Sequence, residues 1–177
     1  PFVPPIPGSI VEIFLPGSPF LATHGELAPF LALRDGRPVG SIAAILNRSH
    51  NTYHRDRTGF FGFFDFTDTE VAAELFATAS EWLRAKGCDT LRGPYSPSIN
   101  DVCGLLTEGF DEPPCVFMPW NPPRYLETFG HLGLTEVRRL QAFSMDMRAA
   151  ANPTVTRLAE RARNNNGLSI REFRLGQ

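Results

Sequence analysis

The stretch GFFGFFDFTDTEVAAELFATASEWLRAKG, residues 59–87, contains a strand signal that runs directly into a helix signal. Residues 59–66 are almost entirely apolar, which predicts a central strand that is covered on both faces of a sheet. In the amphipathic helix that we predict over residues 69–86, one face carries the apolar side chains Val71, Leu75, Ala79, Trp82 and Leu83. The sequence TDTE at 67–70 has the spacing of a capping box, and Gly87 is placed to end the helix.

The residues that precede this strand and helix predict a short helix and a hairpin. A capping-box pattern that starts at Ser9 opens the helix. Two apolar runs, 30–34 and 38–46, are joined by Asp35-Gly36, which is a typical hairpin turn. The polar residues 47–57 are interpreted as a loop that leads into the central strand.

The segments after the pair predict a short strand over 89–92, a long loop with a strand at 115–118, and a helix that starts at Pro122 with Asn121 as its N-cap. Beyond them we predict a strand over 134–147, a helix over 153–165 and a strand over 168–173. This order predicts an α/β (mixed α+β) fold, with a mixed, mostly antiparallel central sheet and helices on both faces.

The composition is that of an ordinary soluble globular protein, with 42% apolar and 20% charged residues and a net charge of −2. Because there is no basic excess and no apolar run of about 18 residues, we expect neither a nucleic-acid partner nor a membrane partner. The three cysteines and four histidines show no zinc spacing, so we expect no metal site. Cysteines used in this way are typical of reduced cytoplasmic proteins, which is the location we expect.

Residues 93–125 form the most informative loop, because seven prolines and three glycines are combined there with many apolar anchors. Loops of this kind, held on a rigid scaffold, often carry binding sites. Glu108 is a candidate general base. The candidate ligand-binding residues are small or polar: Gly93, Tyr95, Ser98, Asn100, Asp101 and Asn121. The alternative is that these residues cap turns and satisfy the loop backbone.

Three stretches carry a resemblance to a known superfamily: RDGRPVGSIAAILN at 34–47, PPRYLETFGHLGLTEV at 122–137, and the segment 59–125. Together with the element order, they resemble the GNAT (N-acetyltransferase) superfamily. Over about residues 25–145 the chain resembles, more specifically, the N-terminal half of a family of uncharacterised bacterial GNAT-like proteins. The resemblance implies a GNAT-like sheet, N-acyl transfer from acetyl-CoA to an amine on a small molecule or peptide, and a C-terminal domain as a partner.

The resemblance also gives an expected domain organisation. The chain starts at Pro1 rather than at a methionine, and it ends with a helix, a glycine and a fresh strand signal. We therefore expect residues 1–150 to form a GNAT-like domain that lacks its first strand and helix. Residues 151–177 are expected to form a linker helix and the start of a further domain.

Two parts of the acetyl-transfer apparatus depart from the superfamily pattern. The superfamily holds the CoA pyrophosphate on a loop of the form (Q/R)xxGx(G/A), between the middle strand and the long helix. Here residues 64–70 (FDFTDTE) contain three carboxylates and neither glycine nor a basic residue. The proton-donating tyrosine of the superfamily corresponds to Phe129, and Tyr125 lies one helical turn earlier.

The sequence therefore predicts a GNAT-like module that lacks standard acetyl-CoA catalysis and acts as a ligand-binding or supporting domain. Its cofactor stays open, since the resemblance implies acetyl-CoA but the phosphate-binding loop is not seen. The alternative is an active N-acyltransferase that transfers an acyl group from a CoA-type donor to an amine. In that alternative Glu108 and Tyr125 are the catalytic residues.

Overall fold

The structure is a computed structural model, in which residues 3–4, 8–144, 146, 152–165, 169 and 171 are described. The chain divides into two compact units, Pro1–Thr135 and Glu136–Gln177. The helices of the first unit are α1 (Ser9–Phe14), α2 (Pro19–Thr23), α3 (Arg48–His54), α4 (Thr69–Ala85) and α5 (Arg124–His131). Its strands are β1 (Gly25–Arg34), β2 (Arg37–Asn47), β3 (Thr58–Phe66), β4 (Thr90–Arg92), β5 (Tyr95–Ser96) and β6 (Val102–Cys103).

Four of these strands form a mixed sheet in the order β1-β2-β3-β4. The first two pairs are antiparallel, and β3 pairs in parallel with β4 across the crossover helix α4. The predicted mixed, mostly antiparallel α/β architecture is therefore confirmed. The predicted hairpin is also present, because Asp35 and Gly36 both have positive φ angles, 52° and 74°, as a tight hairpin turn requires.

Neighbouring residues of the central strands point to two buried clusters on opposite faces of the sheet. Ile42 of β2 and Phe61 of β3 belong to the cluster that is formed with α4 and α5. Ala43, which follows Ile42, and Phe60, which precedes Phe61, belong to the cluster that contains Phe20 of α2. The central strands are thus covered on both faces, which explains why their sequence is apolar throughout.

The long helix α4 lies where its apolar periodicity predicted it, and it buries one face: Val71, Ala72, Leu75, Ala79 and Leu83. The residue that caps its N-terminus is not the predicted Thr67. Asp68 is the N-cap, and its Oδ1 accepts a hydrogen bond from the backbone N–H of Val71 at 3.0 Å. The carboxylate of Asp68 reaches this N–H directly, so the capping residue lies one position later than the box implied, while the helix begins at Thr69 as predicted.

The end of β3 contains a β-bulge that anchors β5. Ser41 pairs with Asp65 and Ala43 pairs with Gly62, so β3 has one residue more than β2 in this interval. Phe63 lies at the bulge with a φ of 49°. Its N–H donates to Ser96 Oγ at 3.0 Å, which fastens the start of the long loop onto the sheet.

Close backbone packing completes this attachment. A Cβ on Gly62 would overlap with the carbonyl oxygen of Tyr95, and a Cβ on Gly93 would overlap with the carbonyl oxygen of Phe61. Glycine is needed at both positions because the loop backbone lies directly against β3.

Three predicted elements are wrong. Residues 48–54, which we interpreted as loop, form the helix α3. Residues 115–118 form a turn, closed by a hydrogen bond of 3.0 Å from the Met118 N–H to the Cys115 carbonyl, and no strand. Residues 134–144 of the predicted strand 134–147 have no strand structure, because a β-prone sequence forms a strand only where another strand pairs with it.

The second unit contains one described helix, α6 (Pro153–Asn165), which starts after Asn152. The side chain of Asn152 accepts a hydrogen bond from the Thr154 N–H at 2.9 Å, as a capping residue does. The predicted strand 168–173 lies largely outside the described residues. Among the residues that are described, no helix combines the length and apolar character that crossing a membrane requires.

Candidate functional site

An open cleft of about 510 Å³ lies in the first unit, between helices α1 to α3 and the loop that follows β5. Three of the predicted ligand-binding residues, Ser98, Asn100 and Asp101, line this cleft. The volume is in the range of small-molecule binding sites in proteins. Three of the six predicted ligand-binding residues therefore lie together along one cleft.

The loop side of the cleft is held by hydrogen bonds within one turn. Ser98 Oγ donates to Asp101 Oδ2 at 2.6 Å, and it accepts from the backbone N–H of Asn100 at 3.2 Å. The Asp101 N–H donates to the Ser98 carbonyl at 3.2 Å. These residues therefore shape their own turn, as the alternative interpretation expected, and they also line the cavity.

The opposite side of the cleft contains three histidines that the sequence reasoning did not assign to a site: His24, His50 and His54. The last two lie one turn apart on α3, so their rings are adjacent, with centroids 4.3 Å apart. Asn47 caps this helix, because its side chain accepts from the His50 N–H at 2.9 Å. This cap and the spacing of four residues were the signals in the sequence that could have revealed α3.

His50 is the most enclosed of these histidines, with 22% of its side chain exposed. Its ring meets Phe60 edge-on at 4.9 Å, and its Nε2 lies 3.5 Å from Asp56 Oδ2. Burial lowers the pKa of His50 below its usual value, although the carboxylate of Asp56 acts in the opposite direction. The imidazole is therefore neutral at neutral pH, and it is able to accept a proton or a hydrogen bond.

The other predicted binding residues lie outside the cleft lining. Tyr95 packs edge-on against Phe60 with ring centroids 5.2 Å apart, and Gly93 lies against the backbone of β3. Asn121 is buried and braces the long loop, since its Oδ1 accepts from the Leu106 N–H at 2.7 Å. It is not the predicted N-cap, because α5 begins only after Pro123.

The two predicted catalytic residues have different surroundings. Glu108 lies on the exposed part of the long loop. Tyr125 is only 3% exposed and stacks on Phe66 with ring centroids 4.0 Å apart. Its hydroxyl accepts from the Phe66 N–H at 3.1 Å and donates to the carboxylate of Asp65. Burial, with the hydrogen bond to Asp65, raises the pKa of Tyr125 far above its usual value, so this phenol stays protonated at physiological pH.

The N-terminus of α4, the position at which the sequence resemblance implies a pyrophosphate site, is occupied by side chains of this chain. Asp68 caps the helix, and Arg34 Nη1 lies 3.0 Å from Asp68 Oδ2. A second carboxylate, Glu70, lies 3.8 Å from Arg34 Nη2. The N–H of Val71 and then the guanidinium of Arg34 hold the pKa of Asp68 below its usual value, so its charge persists at neutral pH.

Potential metal ligands are not clustered in the described part of the chain. Within it, no group of three or more histidine, cysteine, aspartate or glutamate side chains is arranged to hold a metal ion.

Part of the chain is similar in sequence to two bacterial proteins. It is 40% identical over 105 residues to Protein YghO of Escherichia coli K12, covering 59% of this chain and 27% of that protein. It is 36% identical over 125 residues to Bacterial ceramide synthase of Caulobacter vibrioides, covering 70% of this chain and 33% of that protein. No family model and no solved structure matches. The matched part of the chain thus spans a third or less of the length of these relatives.

Proposed function

We propose that this chain is a GNAT-like module of an N-acyltransferase, and that it binds a substrate or supports a catalytic domain without holding CoA pyrophosphate itself. The similarity to Bacterial ceramide synthase supports the acyl-transfer part, because a ceramide contains an amide bond between an acyl chain and an amine. The proposal that the chain does not hold CoA pyrophosphate rests on the N-terminus of α4. There Asp68 caps the helix and pairs with Arg34, and we call this arrangement the closed helix end.

The charges at this helix end oppose a phosphate ligand. A helix N-terminus attracts anions through its free N–H groups and its partial positive charge. Here Asp68 already uses the N–H of Val71, and it contributes a full negative charge next to Glu70. The nearby cation, Arg34, is paired with both carboxylates. A pyrophosphate at this position would have to displace the cap and approach two like charges.

A second candidate function is that the chain itself transfers the acyl group. The similarity to Bacterial ceramide synthase is the observation that favours it. The raised pKa of the buried Tyr125 makes its phenol a weaker acid than an ordinary tyrosine. The amine nitrogen would form the new C–N bond as the C–S bond of the thioester breaks. Glu108 would take the amine's proton, and Tyr125 would have to break its hydrogen bond to Asp65 to give its proton to the CoA sulfur.

Calorimetric titration of the chain with acetyl-CoA, and separately with CoA, tests the main proposal. We expect no binding heat up to millimolar ligand in the unmodified chain. The matched variant Arg34→Gln removes the only cation that is paired at this helix end among the described residues, and we expect it to behave the same way. Micromolar binding that is weakened by Arg34→Gln would contradict the proposal.

A turnover assay separates the two candidates. The chain is incubated with acetyl-CoA and a primary amine, and free thiol release is followed. Under the main proposal the rate equals the rate without protein. Thiol release that requires the chain and is lost in both Tyr125→Phe and Glu108→Gln would favour the second candidate, provided that both variants keep the circular dichroism spectrum of the unmodified chain.

A further inference from the structure

The histidine-lined cleft lies on the other face of the sheet from the α4 cluster. Phe20, which lines the cleft, belongs to the cluster of Ala43 and Phe60, whereas α4 packs on the cluster of Ile42 and Phe61. The cleft is therefore separate from the helix end at which a superfamily cofactor would be held. A ligand in it would be recognised by a different set of groups.

The charge of the cleft lining selects the kind of ligand. Asp101 contributes a carboxylate, and among the described residues that line the cavity none is lysine or arginine. The Ser98 hydroxyl donates its hydrogen bond to Asp101 Oδ2. The other carboxylate oxygen of Asp101, Oδ1, is therefore able to accept a hydrogen bond from a ligand. The lining therefore offers no permanently charged cation to an anionic ligand, whereas an ammonium group would have Asp101 as its partner.

The ring groups of α3 add a second recognition element. The rings of His50 and His54 are 4.3 Å apart, and Tyr53 meets His54 edge-on at 4.9 Å. The phenol ring of Tyr53 is of the kind that attracts alkylammonium groups, and the imidazole rings offer flat surfaces that contact methylene groups. On the wall formed by α1 and α2, Ile13 and Pro19 supply apolar contacts for the rest of the ligand.

We propose that this cleft is a binding site for a primary alkylammonium ligand, with Asp101 as the partner of the ammonium group and the α3 rings as the wall beside its alkyl part. The proposal rests on the proposed function in one respect, namely that this ligand is the amine that accepts the acyl group. The binding itself follows from the lining of the cavity, and it is measurable without any acyl donor.

The probe is n-butylammonium, titrated into the isotopically labelled chain and followed by NMR. We expect saturable shifts in residues 97–101 and in α3. Two probes of similar shape serve as controls, n-butanol without charge and butyrate with the opposite charge, and we expect each to bind at least about tenfold more weakly, since charge-assisted hydrogen bonds are the strong ones. Equal binding of all three probes, or shifts confined to other segments, would overturn the proposal.

The matched variants are Asp101→Asn and Asp111→Asn. The first keeps an acceptor for the Ser98 hydroxyl but removes the charge, and we expect the dissociation constant for n-butylammonium to rise about tenfold. The second changes an exposed carboxylate of the same loop that does not line the cleft, and binding should be unchanged. An Asp101→Asn chain that is folded and binds as tightly as the unmodified chain would refute the assignment of Asp101.

The outcomes distinguish this inference from the proposed function. If acetyl-CoA binds the chain in an Arg34-dependent way, the proposed function fails, while amine binding in the cleft is judged by its own titration. If neither acetyl-CoA nor n-butylammonium binds, the inference fails and the proposal about the closed helix end stands.

Discussion

The hydroxyl of Tyr125 joins α5 to the end of β3: it accepts from the Phe66 N–H at 3.1 Å and donates to the carboxylate of Asp65. The same ring stacks on Phe66, so the contact combines apolar packing with two hydrogen bonds. Tyr125 therefore attaches α5 to β3 of the central sheet.

Removing this hydroxyl should destabilise the fold. In Tyr125→Phe the Phe66 N–H loses one of its two acceptors and keeps Asp65 Oδ1, the Asp65 carboxylate loses a buried donor, and the ring contacts remain. We expect the free energy of unfolding, measured by urea titration, to fall by about 1–2 kcal/mol. Tyr53→Phe is the matched control, since Tyr53 is 83% exposed, and it should change the stability by less than about 0.5 kcal/mol. Equal effects of the two variants would contradict the structural role of the Tyr125 hydroxyl.

The capping residue of α4 is Asp68 and not the predicted Thr67, although the helix begins at Thr69 as predicted. Asp68→Ala removes the acceptor for the Val71 N–H and the partner of Arg34, and it should reduce the free energy of unfolding by about 0.5–2 kcal/mol. Thr67→Ala should cost less, because Thr67 is not the cap and only donates to Asp68. Thermal or urea unfolding of both variants checks this order, and a larger loss in Thr67→Ala would favour the capping box instead.

Two glycine substitutions should have opposite effects. In Gly62→Ala the new Cβ overlaps with the Tyr95 carbonyl, so β5 has to move away from β3, and we expect a loss of at least about 3 kcal/mol or failure to fold. Apart from its chain neighbours and the backbone of its own helix, a methyl group on Gly130 of α5 would meet no atom within 4 Å, so Gly130→Ala should stabilise the chain by up to about 1 kcal/mol. Urea unfolding measures both. A Gly62→Ala chain of normal stability would refute the close contact of β5 with β3.

The lowered pKa of His50 predicts an acid-dependent loss of stability. Histidine in the unfolded chain has a pKa of about 6.5, and the pKa of His50 in the folded chain is lower. At a pH between these two pKa values, the unfolded chain binds a proton that the folded chain does not. Stability should therefore fall as the pH drops through this window. Asp56, His54 and Arg92 are the charged or titratable groups that act on His50, and Asp56 opposes the shift.

His50→Gln removes this titration. We expect the urea midpoint of the variant to change less between pH of about 7.5 and about 5.5 than that of the unmodified chain. His131→Gln alters an exposed histidine at the end of α5, and it should keep the pH dependence of the unmodified chain. An identical loss of stability in the His50→Gln chain would assign the acid effect to other groups.

Much of the sheet could be predicted because its signals are local. The apolar run at 59–66 and the four-residue periodicity of α4 each specify one element, and the Asp35-Gly36 turn specifies how β1 joins β2. Local signals were misleading at 115–118 and 134–144, where apolar residues have no neighbouring strand among the described residues. Strand formation depends on pairing, which a single segment does not reveal.

The sequence by itself determined the α/β class, the position of α4 and the absence of a glycine-rich phosphate loop, because periodicity and residue type are properties of short segments. Only the tertiary structure decided that Asp101 shares a cleft with His50, since the two residues lie 51 positions apart in the sequence. The bulge at Phe63 and its bond to Ser96 hold the loop there, and contacts of this range arise from packing of the whole sheet.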